Sequence, residues 1–240
     1  MTEEERAGAP RPGRNLYGRR RSHKLRGGQQ ALMDVFLTEI SVPGAYPSDN
    51  PERRKIDLAA LFPDKREIWL EIGFGGGEHL LAQARANPDV GLIGCEHYVD
   101  GVAKLLSALK REKASNVRVH PHDARDLMDV LPDSSIGRAF LLYPDPWPKA
   151  RHHKRRFVSA ENLDAFARVL KPGAELRIAS DIPDYIRHTL QLTQGRSDLV
   201  WTAQRSSDWL EPWADWPGTR YEAKALREGR RPCYLTFRRA

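Results

Sequence analysis

The sequence predicts a doubly wound α/β fold, with a mainly parallel sheet and antiparallel strands at its C-terminal end. Three observations predict it. Short apolar runs alternate with amphipathic stretches from about residue 67 to residue 194, the pattern of a sheet wound with helices on both faces. A glycine-rich turn, Gly73-Phe74-Gly75-Gly76-Gly77, joins the first such run to the stretch after it. Acidic residues then stand at the ends of three successive runs: Glu71, Glu96 and Asp123.

The elements follow in order. Residues 29–40 carry Leu32, Val35, Phe36 and Ile40 at helical spacing, and residues 41–54 form a loop punctuated by Pro43, Gly44, Pro47 and Pro51. Strands are expected at 68–72, 91–95, 117–120, 136–143 and 176–180. The helices between and after them are expected at 77–87, 98–114, 124–130, 158–170 and 184–194. Lys171-Pro172-Gly173 ends the fourth of these helices. Two final strands are expected at 200–203 and 233–237, separated by a long loop rich in Trp and charge. The organisation is therefore a flexible basic arm (1–26), a helix and loop (27–54), and one α/β domain (55–240). At roughly 150 residues per domain, 240 residues suit one large domain with an appendage.

Charge narrows the partners. The net charge is +7. Residues 1–26 hold eight Lys/Arg against Glu3, Glu4 and Glu5, residues 149–156 hold five with no acid, and residues 224–239 hold six against Glu228 alone. Three separated basic patches suit a long, phosphate-rich ligand. Cys95 and Cys233 sit in apolar runs and read as buried thiols. They make no disulfide framework and no zinc spacing, so no metal is expected. No apolar stretch approaches the roughly 18 residues of a membrane span, and the N-terminus lacks a signal-peptide pattern. A cytoplasmic monomer is the expectation.

The glycine turn is not a dinucleotide fingerprint, because Glu78 stands where the third glycine belongs. It also lacks the Lys and Ser/Thr of a phosphate-binding loop. Glu71 and Glu78 would repel a pyrophosphate and suit a cationic amine. S-adenosylmethionine has an amine, a sulfonium, a ribose and an adenine, and no phosphate. Gly73 and Gly75 would let it approach the main chain. Glu96 can accept from both ribose hydroxyls, and Asp123 from the adenine amine. Whether Glu71 would hold the amino group directly or through water stays open.

The fourth strand runs into Tyr143-Pro144-Asp145-Pro146-Trp147. Two prolines bracket Asp145, fix the local φ and remove backbone donors. The basic run that follows, Lys149 to Arg156, is placed to hold phosphates beside the methyl donor, with Arg151, Lys154, Arg155 and Arg156 as the phosphate contacts.

Residues 71–77, Pro144-Asp145-Pro146-Trp147 with Lys149 and His153-Lys154-Arg155-Arg156, Ser180-Asp181, and Thr219-Arg220-Tyr221-Glu222 closely resemble the motifs of bacterial tRNA (guanine-N7)-methyltransferases. The resemblance spans roughly residues 55–238. It implies a Rossmann-like class I methyltransferase sheet and S-adenosylmethionine as cofactor, with contacts at Glu71, Glu96, Asp123 and Asp145. It implies Asp145 as the catalytic residue and substrate contacts at Lys149, Asp181, Thr219, Arg220, Tyr221 and Glu222. It implies methylation of guanine N7 in the tRNA variable loop, giving 7-methylguanosine. Pro148 stands where such proteins usually carry His or Asn, and Ser180 where Thr is usual.

Guanine N7 has a free lone pair at neutral pH, so the chemistry asks for in-line positioning rather than a base. A fixed carboxylate would stabilise the cationic ring that results. Either Asp145 or Asp181 could also accept from guanine N1–H and the 2-amino group. Three rivals are an exocyclic-amine methyltransferase, a non-catalytic RNA-binding module on the same fold, and a NAD-dependent dehydrogenase. For the loop 204–218, with Trp209, Trp213 and Trp216, two expectations stand: ordering on RNA by base stacking, or a small satellite core under the last strands.

Overall fold

The computed structural model describes residues 15–21 and 24–240. The expected arm, 1–26, lies mostly outside the described residues. A first helix, α1 (Gly27–Ala31), passes through a π-helical turn (Leu32–Phe36) into α2 (Leu37–Ile40). After a loop and the short α3 (Leu58–Leu61), the alternation begins. It runs β1 (Glu67–Ile72), α4 (Glu78–Ala86), β2 (Val90–Cys95), α5 (Val99–Glu112), β3 (Val117–His120), α6 (Ala124–Val130) and β4 (Ile136–Leu142). A 3-10 turn (Ala150–Arg155) leads to α7 (Ala160–Val169), β5 (Leu170–Ser180) and α8 (Pro183–Thr193). The C-terminal part adds β6 (Leu199–Trp201), α9 (Ser207–Leu210), α10 (Arg220–Arg227) and β7 (Cys233–Arg239).

The seven strands form one sheet in the order β3-β2-β1-β4-β5-β7-β6. Strands β1 to β5 pair in parallel, and β7 pairs antiparallel with both β5 and β6. The chain winds outward from β1 through β2 to β3, then returns to place β4 on the other side of β1. The loops after β1 and β4 therefore diverge at the centre of the sheet, the switch point where such sheets bind ligands.

Strand alternation divides the interior into two cores. Ile68, Leu70 and Ile72 of β1 join one core with Ala139 and Leu141 of β4. Trp69 joins the other with Phe140 and Leu142. Successive side chains of a strand point to opposite faces, and both faces of a parallel sheet are covered. The segment 27–54 shares these cores. Leu32, Phe36 and Ile40 pack on the second, while Val42 and Ala45 are buried in the first. The Val42 amide donates to the Val119 carbonyl at 3.2 Å.

The structure differs from the sequence expectation at three places. Lys171-Pro172-Gly173 lies inside β5, which opens at Leu170 where it pairs with Ile136 across an irregular register. The sixth strand begins one residue earlier and ends two residues sooner than expected, at Leu199–Trp201, and the last begins as expected and runs two residues further, to Arg239. Helices α9 and α10 lie where a continuous loop was expected. The Thr219 hydroxyl caps α10 by accepting from the Glu222 amide at 3.1 Å, so Thr219-x-x-Glu222 was the available signal for a helix start.

Candidate functional site

A cavity of about 890 Å³ opens at the carboxyl ends of β1 to β4. Its first wall is the turn after β1. Gly73, Gly75 and Gly77 have φ of 73°, 57° and 81°, a left-handed backbone that other residues adopt only at a cost. The turn is also crowded by α5, because a Cβ on Gly101 would lie 2.2 Å from the Gly75 carbonyl oxygen. Gly73 and Gly75 line the cavity.

Glu96, at the end of β2, lines it too. The carboxylate is almost fully buried and accepts from the Gly75 amide at 2.8 Å and the Tyr98 amide at 2.9 Å. Burial raises its pKa, and these backbone bonds oppose the rise. A carboxylate has about four acceptor sites, so Glu96 retains capacity for further donors. Asp123 caps α6, accepting from the Arg125 amide at 2.9 Å and from its Nε at 2.9 Å, and it rims the same space.

Asp145 faces the cavity from the β4 side, exposed at the apex of its turn. Tyr143 and Trp147 flank the turn with φ of 49° and 41°. The Tyr143 amide donates to the Ala179 carbonyl at 2.8 Å and ties the turn to β5. Tyr221 of α10 completes the wall. Its ring stacks on Tyr143 at 6.3 Å and lies 3.1 Å from where a Gly75 Cβ would sit.

Residues 15–21 were expected to belong to a flexible arm. They instead cross the cavity mouth, and Asn15, Leu16, Tyr17 and Arg19 line it. The Asn15 carbonyl accepts from Arg125 at 3.0 Å, and the Arg20 carbonyl from the Val99 amide at 2.9 Å. The Tyr17 ring meets Trp147 edge-on at 6.1 Å, with the Arg155 guanidinium 4.8 Å from Tyr17 and 5.0 Å from Trp147. A Cβ on Gly18 would lie 2.8 Å from His97 Nε2 and 3.5 Å from Asp145 Oδ2. The sequence shows no periodicity here because main-chain and aromatic contacts, not an apolar face, hold the segment.

Several expected site residues stand elsewhere. Glu71 is buried and accepts from His79 Nδ1 at 2.6 Å. Alternation puts it on the Trp69 face of β1, between the sheet and α4, and it is not among the residues that line the cavity. The Asp181 carboxylate pairs with Arg230, again away from the cavity lining. Within Thr219–Glu222 only Tyr221 reaches the cavity. Thr219 serves as the helix cap, and Arg220 donates from Nε to Glu78 at 2.7 Å. Glu222 accepts from Trp216 Nε1 at 2.8 Å and from the Tyr234 hydroxyl. Lys149 and Arg151 stay exposed on the outer rim. Lys154, Arg155 and Arg156 line the cavity, but Arg156 is buried.

The Trp loop forms no separate satellite core: Trp209 packs on the first main core, and Trp213 and Trp216 pack on the second. Trp213 and Trp216 lie 5.5 Å apart and 5.4 and 5.8 Å from Tyr234. Trp213 Nε1 donates to Thr236 Oγ1 at 2.9 Å. Asp215 bridges Arg138 at 3.0 Å and Arg177 at 2.6 Å. Ordering on RNA is therefore not needed to place these rings.

Comparison with known proteins gives matching results at two levels. Residues 65–235 match a family model described as "Putative methyltransferase". A tRNA (guanine-N(7)-)-methyltransferase of Ruegeria sp. is 59% identical over 95% of this chain and 89% of its own. One of Ruegeria pomeroyi is 58% identical, covering 95% and 96%. Among solved structures, the 16S rRNA methyltransferase KamB superposes with a TM-score of 0.58 at 19% identity, covering 78% of this chain and 95% of that one. A SAM-dependent methyltransferase from Aquifex aeolicus gives 0.51 at 13%, covering 85% and 97%. Likeness at these identities speaks for the fold alone.

Proposed function

The chain belongs to the tRNA (guanine-N(7)-)-methyltransferase family, and from that premise we propose how its cavity transfers a methyl group to guanine N7 of tRNA. The observation that carries the proposal is that Glu96 and Asp145, on opposite sides of the switch point, line one cavity.

S-adenosylmethionine fits the donor set of this cavity. Glu96 and Asp123 supply acceptors for hydroxyls and amines, and the glycine turn leaves open space beside Gly73, where an added Cβ would meet nothing within 4 Å. When bound, the cofactor supplies an electrophilic methyl group. Glu96 would accept from the ribose hydroxyls, and Asp123 would hold the adenine side. The turn around Gly73 and Gly75 would give the remainder close access to the main chain.

Asp145 is assigned the guanine. Of the two candidate carboxylates, Asp181 is engaged by Arg230, whereas Asp145 lines the cavity. Its carboxylate would accept from N1–H and the 2-amino group, aim N7 at the methyl, and stabilise the positive charge the ring acquires. No proton has to leave N7, so no general base is required. Tyr221 offers a ring face at the same opening. Lys149, Arg151, Lys154 and Arg155 would hold the tRNA backbone around it. The target is a guanine of the variable loop, and the site of action is the cytoplasm, where a tRNA substrate is found.

The test is methylation of an unmodified tRNA transcript with labelled cofactor, followed by mild reduction and aniline cleavage. Scission at one variable-loop guanine is expected, and a transcript with 7-deazaguanine there should accept no label. Asp145→Ala should fold, bind cofactor and lose about 10²–10³ in turnover. Label on an exocyclic amine, or near wild-type turnover in this variant, overturns the assignment.

A further inference from the structure

Arg156 ends the basic run that follows the Asp145 turn. By composition the whole run reads as phosphate contacts, yet this guanidinium is buried and directs two of its three nitrogens at protein acceptors. Its side chain is 1% exposed. Nε donates to the Pro146 carbonyl at 2.9 Å, and Nη2 pairs with the Asp184 carboxylate. The guanidinium lies over the ring of Tyr185, 5.4 Å from its centroid. Tyr185 is itself fully buried, and its hydroxyl accepts from the Val158 amide at 3.3 Å. Asp184 and Tyr185 both belong to the first turn of α8, so the fork joins that helix to the catalytic turn.

The turn needs such an anchor. Pro144 and Pro146 have no backbone N–H to donate. Tyr143 and Trp147 are both held in the left-handed region, which costs free energy for non-glycine residues and persists only where surrounding contacts impose it. On the N-terminal side of Asp145, the Tyr143 amide is bonded to Ala179. On its C-terminal side, the carbonyl of Pro146 is bonded to Arg156. Asp145 thus sits between one anchor on β5 and one that runs through Arg156 to Asp184 of α8.

We infer that Arg156 is a positioning residue for the Asp145 carboxylate and not a phosphate ligand, with Asp184 orienting its planar fork. The inference rests on the reading of Asp145 as the catalytic residue. A lysine would keep the charge but could not reproduce two directed bonds in one plane. A displacement of about 1 Å at the reacting groups costs on the order of a hundredfold in rate.

The test compares Arg156→Lys, Asp184→Asn and Asp145→Ala. For each variant, kcat, KM for tRNA and thermal melting are measured with the full chain. Arg156→Lys and Asp184→Asn should lower kcat by about ten- to a hundredfold while KM for tRNA stays near wild type. A phosphate ligand predicts the reverse: lysine substitutes for arginine, and Asp184→Asn changes nothing. Wild-type kcat in both variants overturns the inference, whether or not melting falls, since a purely structural role moves melting alone. If Arg156→Lys fails to fold, the partly exposed Asp184 decides: a kcat loss in Asp184→Asn supports positioning, and unchanged kcat overturns it. Retained turnover in Asp145→Ala sinks the catalytic reading instead, a result distinct from loss in Asp145→Ala with full turnover in the other two.

Discussion

The Gly75 amide donates to Glu96 Oε2 at 2.8 Å, so one buried carboxylate ties the glycine turn after β1 to the end of β2. Its second oxygen takes the Tyr98 amide at the start of α5. The acceptor proposed for the ribose is therefore oriented by the fold itself, and little reorganisation remains for binding.

Glu96→Ala is expected to raise the cofactor dissociation constant about 10–150-fold, the worth of a hydrogen bond to a charged group at roughly 1.5–3 kcal/mol. Affinity for tRNA should change little. Calorimetry with cofactor and with tRNA separates the two, and unchanged cofactor binding refutes the role.

Gly101→Ala should destabilise the protein, although alanine at an ordinary helix interior is favoured over glycine by about 1 kcal/mol. The sign reverses because the new Cβ would stand 2.2 Å from the Gly75 carbonyl oxygen, and backbone on both sides leaves it nowhere to go. Overpacking of this kind costs about 1–3 kcal/mol, and the displaced turn should also weaken cofactor binding. Urea melts giving an equal or higher midpoint for the variant would contradict the packing described.

Stability should fall in mild acid. Burial, helped by the neighbouring His122 charge, lowers the His120 pKa from 6.5 to about 3, and burial, helped by Arg20, lowers that of His122 to about 4. Both rings pack against Tyr46, at 5.2 and 4.7 Å. Below pH 6.5 the unfolded chain binds protons that the folded chain refuses. Their contribution is then complete above about pH 6.5 and declines as pH falls toward 4, by up to roughly 1.4 kcal/mol per pH unit for each ring. Urea melts at pH 7, 6 and 5 measure the slope, which should flatten when His122 is replaced by Asn. A pH-independent midpoint excludes this linkage.

Tyr17→Ala should raise the cofactor dissociation constant about two- to thirtyfold, because Tyr17 lines the cavity and is held by Arg155 and Trp147. A contact of this type contributes about 0.5–2 kcal/mol. Residues 15–21 would then form part of the cofactor site. Equal cofactor affinity in wild type and variant would confine the segment to the tRNA side.

By itself the sequence determined the α/β alternation, the switch-point turn at Gly73–Gly77, and the carboxylates of Glu96, Asp123 and Asp145 at strand ends. These signals are local: hydrophobic period, glycine and proline backbone limits, and strand-end position act over a few residues. Only the tertiary structure decided which charged groups are engaged by protein partners. His79 takes Glu71, Arg230 takes Asp181, Trp216 and Tyr234 take Glu222, and Asp184 takes Arg156. Composition could not separate buried Arg156 from exposed Arg151, since both belong to one basic run. What separates them is burial: a charge removed from water must find a partner within the protein, and such partners are set by the packing of one element on another, not by composition.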